Sequence, residues 1–274
     1  MKINNVQTSI TSAALQKTDS KLSRVLERLS TSLRINRASD DAAGLSVSEN
    51  LRTQIRGFEM ANTNISYASA AQNIAEGTGN QVTSILQRQR ELALQASNGT
   101  MTAENRQTLN TEYQALNEEL TRISDGAQFN TQNVANGQGL GAGGGTVQAG
   151  PNAGSNLSIQ GADFTAASLG TAPTDILNPA NATNAVNALD AALASTANQR
   201  TNIGANINRM DYAYSNNQNS AAMTQSAEER MRDFDMAEGV MERTTQSLLN
   251  QSATSALRNF NEINRNSLMA LLNG

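Results

Sequence analysis

Helix-breaking residues in this chain gather in its middle and leave both ends to helices. All three prolines, Pro151, Pro173 and Pro179, fall between about Gly126 and Asn181, as does the cluster Gly137-Gln-Gly-Leu-Gly-Ala-Gly-Gly-Gly145. Glycine and proline disfavour a helix interior by about 1 and 3 kcal/mol relative to alanine, so helices entering this zone should stop. The zone carries only two charged residues, Asp163 and Asp175. Its short alternating pieces, Thr146-Val-Gln-Ala149 and Asn156-Leu-Ser-Ile-Gln160, predict a small β-hairpin region. No Lys-Ser/Thr follows the glycine run, so it reads as a turn-rich connector and not as a phosphate loop.

From Met1 to about Asp125, and from about Ala182 to Gly274, apolar residues recur at spacings of three and four, the mark of one helical face. Leu22, Leu26, Leu29 and Leu33 form one stripe; Leu109, Tyr113, Leu116, Leu120 and Ile123 another; Ile203, Ile207, Met210 and Tyr214 a third. Near the end come Val240, Thr244 and Leu248, then Ala256, Phe260 and Ile263, then Leu268, Leu271 and Leu272. Asn98-Gly99 reads as a helix stop, and Thr102-Ala-Glu104 as a new N-cap with an acid in the first turn. Gly77 and Gly79 conflict with the helix that begins near Gly44: propensity places a break there, and periodicity does not settle it.

A helix of ~35 residues spans about 50 Å and cannot bury its own stripe. The economical solution pairs the N-terminal helix with the C-terminal one, antiparallel. Even a pair leaves apolar surface open, including Met269-Ala-Leu-Leu272, so the terminal pair should order fully only among other copies. The expected fold class is mainly α: a long antiparallel helical bundle or coiled coil from both termini, with a small central β-hairpin region.

Composition narrows the chemistry. The chain has no His, Cys or Trp, which excludes zinc fingers, thiol nucleophiles, Ser-His-Asp triads and HExxH metalloproteases. No catalytic, cofactor-binding or metal-ligating residues are expected. A net charge of −4 opposes nucleic-acid binding. No apolar run approaches the ~20 residues of a membrane helix, so no membrane insertion is expected. Met1 to Ser20 lacks the apolar core of a cleaved signal peptide, so any export follows another route. Only 16% of residues are charged, and Asn, Gln, Ser and Thr supply the remaining polarity. Helix faces of that kind suit contact with neighbours in a dense assembly better than open water.

The run Leu29-Ser-Thr-Ser-Leu-Arg-Ile-Asn-Arg-Ala-Ser-Asp-Asp-Ala-Ala-Gly-Leu45, continuing to Arg56, resembles the N-terminal signature of bacterial flagellins. Arg230-Met-Arg-Asp-Phe-Asp-Met-Ala-Glu238 resembles the start of their C-terminal segment, and the likeness covers roughly 1–130 and 185–274. The resemblance implies a structural subunit that polymerises into the flagellar filament for swimming motility, outside the cell. It implies an inner terminal coiled-coil domain, 1–44 plus 229–274, whose linker spans about Arg34–Gly44. A rod domain, 45–228, would hold long helices at about 45–98, 102–128 and 182–228 and a hairpin region at 130–181, without outer globular domains. It also implies that the helix runs on through Gly77 and Gly79. Implied partners are further copies of the chain, the type III export apparatus, an export chaperone, and cap and hook-junction proteins.

Subunit packing then falls to Leu22, Leu26, Leu29, Leu33, Leu248, Phe260, Leu268 and Leu271. Arg34, Arg37, Asp40 and Asp41 would fix the linker and touch adjacent subunits, unless Ser39 or Asp40 simply caps the following helix. The run Gln87 to Gly99 resembles the stretch that Toll-like receptor 5 engages in many flagellins, with Arg88, Leu92 and Glu112 at matching positions; Leu92 also reads as core, continuing Val82 and Ile85. Phe260 and the ending Leu271-Leu-Asn-Gly274 depart from the common pattern. Two rivals remain: a hook–filament junction protein, and a cytoplasmic chemoreceptor hairpin. The second should show a sharp tip with continuous heptads on both arms, and here a Gly- and Pro-rich zone separates them.

Overall fold

The computed structural model describes residues 2–138, 145–172 and 174–272, with side chains except at 2–8, 264, 267, 268 and 270–272. Leu268, Leu271 and Leu272, Pro173 and most of the glycine cluster therefore lie outside the described residues or side chains. The elements are α1 (Lys2–Thr31), α2 (Ala42–Ala96), α3 (Ala103–Gly126), β1 (Gln128–Phe129), β2 (Gln132–Asn133), β3 (Gly145–Gln148), β4 (Asn156–Ile159), α4 (Pro179–Arg232) and α5 (Met236–Leu272). The fold is mainly α, with long helices from both ends and two small antiparallel hairpins between them. The chain divides into one unit of 1–53 with 224–274 and another of 54–223.

In the 54–223 unit, α2, α3 and α4 bury Leu86, Leu92, Tyr113, Leu120, Leu189 and Ile203 in one core. The middle segment is more than a connector. It seals this core with Val134, Phe164, Leu169 and Ile176, all buried. The β3–β4 hairpin pairs Val147 with Leu157 and covers a second cluster of Ile65, Val147, Ile159 and Met210. The β1–β2 hairpin starts two residues before the expected hairpin region. It turns through Asn130 at φ +49° and Thr131 at φ +66°, the left-handed pair that a two-residue turn requires.

Many of the amides face inward. From α2, Gln72 Nε2 donates to the Gln160 carbonyl at 3.2 Å, and from α4, Asn217 Nδ2 donates to the Ala149 carbonyl at 2.8 Å. Gln199 clasps the Asp163 backbone, accepting from its N–H at 2.7 Å and donating to its carbonyl at 3.0 Å. Gln89 donates to Asn117 Oδ1 at 2.9 Å, and Asn117 donates to the Thr171 carbonyl at 3.1 Å. An irregular segment laid on helices has unpaired backbone groups, and a neutral amide satisfies both kinds without burying charge. Part of the amide richness thus serves the fold of the single chain.

Helix α2 continues through both glycines. At Gly79 a β-carbon would lie 2.9 Å from Arg200 Cγ and 3.0 Å from Phe164 Cζ, so glycine there lets α4 and the middle segment approach α2. Packing, not propensity, decides the position.

In the other unit α1 packs on α5. Asp19 accepts from Asn250, and a β-carbon at Gly239 would lie 3.0 Å from Leu29 Cδ2, so numbers rise on one helix as they fall on the other: the pair is antiparallel. The Arg28 guanidinium lies 5.9 Å from the centre of the Phe234 ring. The segments beyond α1 and before α5 form an antiparallel bridge at Leu33 and Asp233. Arg34 N–H donates to the Arg232 carbonyl at 2.7 Å and Phe234 N–H to the Ser32 carbonyl at 3.1 Å.

Candidate assembly surfaces and charged clusters

The terminal unit has little core of its own. Among its described residues Val25 and Ile35 are the only buried apolar side chains. Of the expected packing residues, Leu22, Leu29, Leu33 and Phe260 are half-buried, and Leu26 and Leu248 are exposed. On α5, Gly239 and Gln246, seven residues apart, are buried, with Gly239 against Leu29 of α1. Met241 and Leu248, also seven apart, are 65% and 62% exposed. A step of two residues turns a helix by about 200°, so the second seam lies opposite the first. Val240, Leu249, Ile263 and Met269 extend the exposed apolar surface. One face of α5 thus lies against α1, and the apolar face opposite it stays open.

The linker is built from backbone-directed carboxylates. Asp41 Oδ1 accepts from Gly44 N–H at 2.8 Å and caps α2, so the cap is neither Ser39 nor Asp40, the two residues expected, but the next residue after them. Asp40 Oδ2 accepts from Arg37 N–H at 3.1 Å and Asn36 N–H at 3.3 Å, closing the preceding turn. The Arg37 N–H holds the Asp40 carboxyl below the ordinary aspartate range. Arg34 donates from Nη2 to the Met231 carbonyl at 2.6 Å, and Arg37 pairs with Glu27 at 2.9 Å. Three of the four charged residues therefore have backbone partners within the chain.

On α2 and α3, Arg88 donates to Glu112 from Nε at 2.9 Å and Nη2 at 2.8 Å, and from Nη1 to Glu91 at 3.1 Å. The hydrogen bonds that Glu112 accepts hold the guanidinium firmly protonated. Arg88 and Glu112 form an accessible pair. Leu92, at 1% exposure, is core, and the open leucine nearby is Leu94. No helix is long and apolar enough to cross a membrane, and no group of three acidic side chains could hold a metal ion, among the described residues.

Residues 3–139 match the bacterial flagellin N-terminal helical region, and 186–272 match the bacterial flagellin C-terminal helical region. A flagellin of Halalkalibacterium halodurans is 40% identical over 246 residues, covering 87% of this chain and 88% of that protein. The chain belongs to the bacterial flagellin family. The flagellar filament 33 kDa core protein of Treponema phagedenis is 35% identical to this flagellin, covering 98% of each chain. The crystal structure of Bacillus cereus flagellin superposes with a TM-score of 0.50 at 25% identity, over 57% of this chain and 88% of that one. These matches favour neither the junction-protein reading nor the chemoreceptor hairpin.

Several residues that organise this flagellin escaped the sequence reading. Val25 holds the α1 seam between Leu22 and Leu29, three and four residues away, a spacing the all-leucine stripe conceals. Phe234 and Gly239 interlock at the start of α5, where a β-carbon would collide with the ring. Arg232, mostly buried, reaches Glu49 at 3.3 Å. For Arg232 and Phe234 the sequence signal was present only as the block Arg230 to Glu238.

Proposed function

We propose that this chain is a structural subunit of a bacterial flagellar filament, polymerising with copies of itself and serving swimming motility. The observation that carries the reading is the open apolar face of α5, with Met241 and Leu248 exposed on the side away from α1. A contact of this face with a different surface on the next copy is heterologous and does not close, so it propagates into a helical polymer. Family membership supports the same end: the two matched regions are the helical ends of flagellins.

The finer reading assigns 1–44 with 229–274 to an inner coiled-coil domain and 45–228 to a rod domain. It places the filament outside the cell, reached through the flagellar type III export apparatus with an export chaperone, and bounded by cap and hook-junction proteins. The linker residues Arg34, Arg37, Asp40 and Asp41 set the course of the chain into α2. The Arg88–Glu112 pair is the accessible part of the candidate Toll-like receptor 5 surface in dispersed protein. Leu92 supports it from beneath.

The decisive experiment is electron microscopy of purified protein after a polymerisation trial, beside Leu248→Glu. Native protein should form filaments, and the charged variant should stay dispersed with unchanged helicity. Native protein that never polymerises, or a variant that polymerises as well, overturns the reading.

A further inference from the structure

We propose that the methionines on the open face of α5, Met241 foremost, form an oxidation site that removes dispersed subunits from assembly. The proposal rests on the filament reading above. The chain has nine methionines and neither cysteine nor tryptophan, which leaves thioethers as its principal targets for peroxide. Their surroundings divide them sharply. Met210 is 0% exposed beneath the β3–β4 hairpin, Met60 and Met223 are open on the 54–223 unit, and Met236, Met241 and Met269 are open along α5.

The step is a two-electron oxidation by hydrogen peroxide. The sulfur lone pair attacks one peroxide oxygen, the O–O bond breaks, an S=O bond forms and water leaves; sulfur loses the two electrons that peroxide gains. The product replaces an apolar, adaptable side chain with a strong acceptor. A buried acceptor needs a donor, and around Met241 the face offers apolar neighbours: Val240, Leu248 and Leu249. The adjacent hydroxyls are engaged within the helix, Thr244 donating to the Val240 carbonyl at 2.8 Å and Thr245 to the Met241 carbonyl at 2.9 Å. An oxidised subunit thus cannot seat this face dry against a neighbour. A subunit already in place has the thioether covered and is spared.

The test treats dispersed full-length protein with hydrogen peroxide, maps sulfoxides by mass spectrometry, removes the oxidant and measures the concentration at which filaments form. That concentration should rise about tenfold or more, as expected for burying an unpaired polar group. Preformed filaments under the same treatment should keep Met241 unoxidised. The variant Met236→Leu/Met241→Leu/Met269→Leu should assemble as well after treatment as before, whereas Met60→Leu/Met223→Leu should lose assembly like native protein. Should the triple variant fail to assemble untreated, Met241→Leu alone carries the comparison. Oxidised native protein assembling at its original concentration overturns the proposal, as does loss of assembly in the leucine variant carrying the comparison. Untreated native protein that never forms filaments instead overturns the filament reading, and this proposal with it.

Discussion

At Gly79 a β-carbon would press on Arg200 Cγ and Phe164 Cζ, whereas at Gly77, two residues earlier in the same helix, nothing lies within 4 Å. The first glycine is required by close approach, and the second only loosens the helix. Gly77→Ala should therefore raise stability by up to about 1 kcal/mol, and Gly79→Ala should lower it, both read from thermal denaturation. Tyr113 shows a different residue-scale constraint. Burial raises its pKa above the ordinary 10.0, and its hydroxyl is hydrogen-bonded to Thr174 Oγ1 at 2.7 Å. The folded protein thus keeps the phenol neutral where the unfolded chain would ionise it. Its contribution is complete below pH 10.0 and disappears as pH rises through the folded value. Denaturation followed against pH should show an alkaline loss that Tyr113→Phe flattens. At neutral pH the variant should lose about 0.5–1.5 kcal/mol with the hydrogen bond.

Between elements, the turn from α2 to α3 depends on a guanidinium that no periodicity indicates. Arg106, buried in the first turns of α3, donates from Nε to the Ala96 carbonyl at 2.9 Å and from Nη2 to the Asn98 carbonyl at 3.1 Å. A helix end leaves four carbonyls without partners, and a cation there also meets the negative end of the helix dipole. Arg106→Met should cost about 1–3 kcal/mol and speed hydrogen exchange selectively at the end of α2. Local chemistry around this turn was legible: Thr102 accepts from Asn105 N–H at 3.2 Å, the N-cap expected from its type and place. The β3–β4 hairpin was legible from alternation, and the helices from stripes. What escaped was non-local. Phe164 and Ile176 lie in a stretch without period, and only the cavity left by three helices gives them a place. The inward amides are identical in sequence to outward ones, so composition alone assigned their richness to contacts between copies. The proposed assembly face was legible only as apolar residues at the ends. Which residues α1 covers and which it leaves open depends on the facing helix, hence the half-buried Leu22 beside an open Leu26.

Across the whole molecule, burial is distributed unevenly, and the consequence can be measured. The large apolar clusters belong to the 54–223 unit, while among described residues Val25 and Ile35 are the only apolar side chains that the terminal unit buries. Segments with few buried contacts open at little cost, so α1 and α5 should be the first to open in dispersed protein. The chain supplies its own reporter, because its only lysines are Lys2, Lys17 and Lys21, all within α1. A lysine-specific protease therefore samples this one helix and ignores the stable core. In dispersed protein, cleavage after Lys17 and Lys21 should proceed readily and leave the remainder of the chain intact. On the proposed packing, in which neighbours cover the open face of α5 and hold its partner in place, the same sites should resist in filaments. A time course by mass spectrometry on both forms, at equal protein concentration, gives the ratio of rates. Equal rates would mean that assembly adds nothing to the order of α1, and the argument from its thin core would fall even if filaments form.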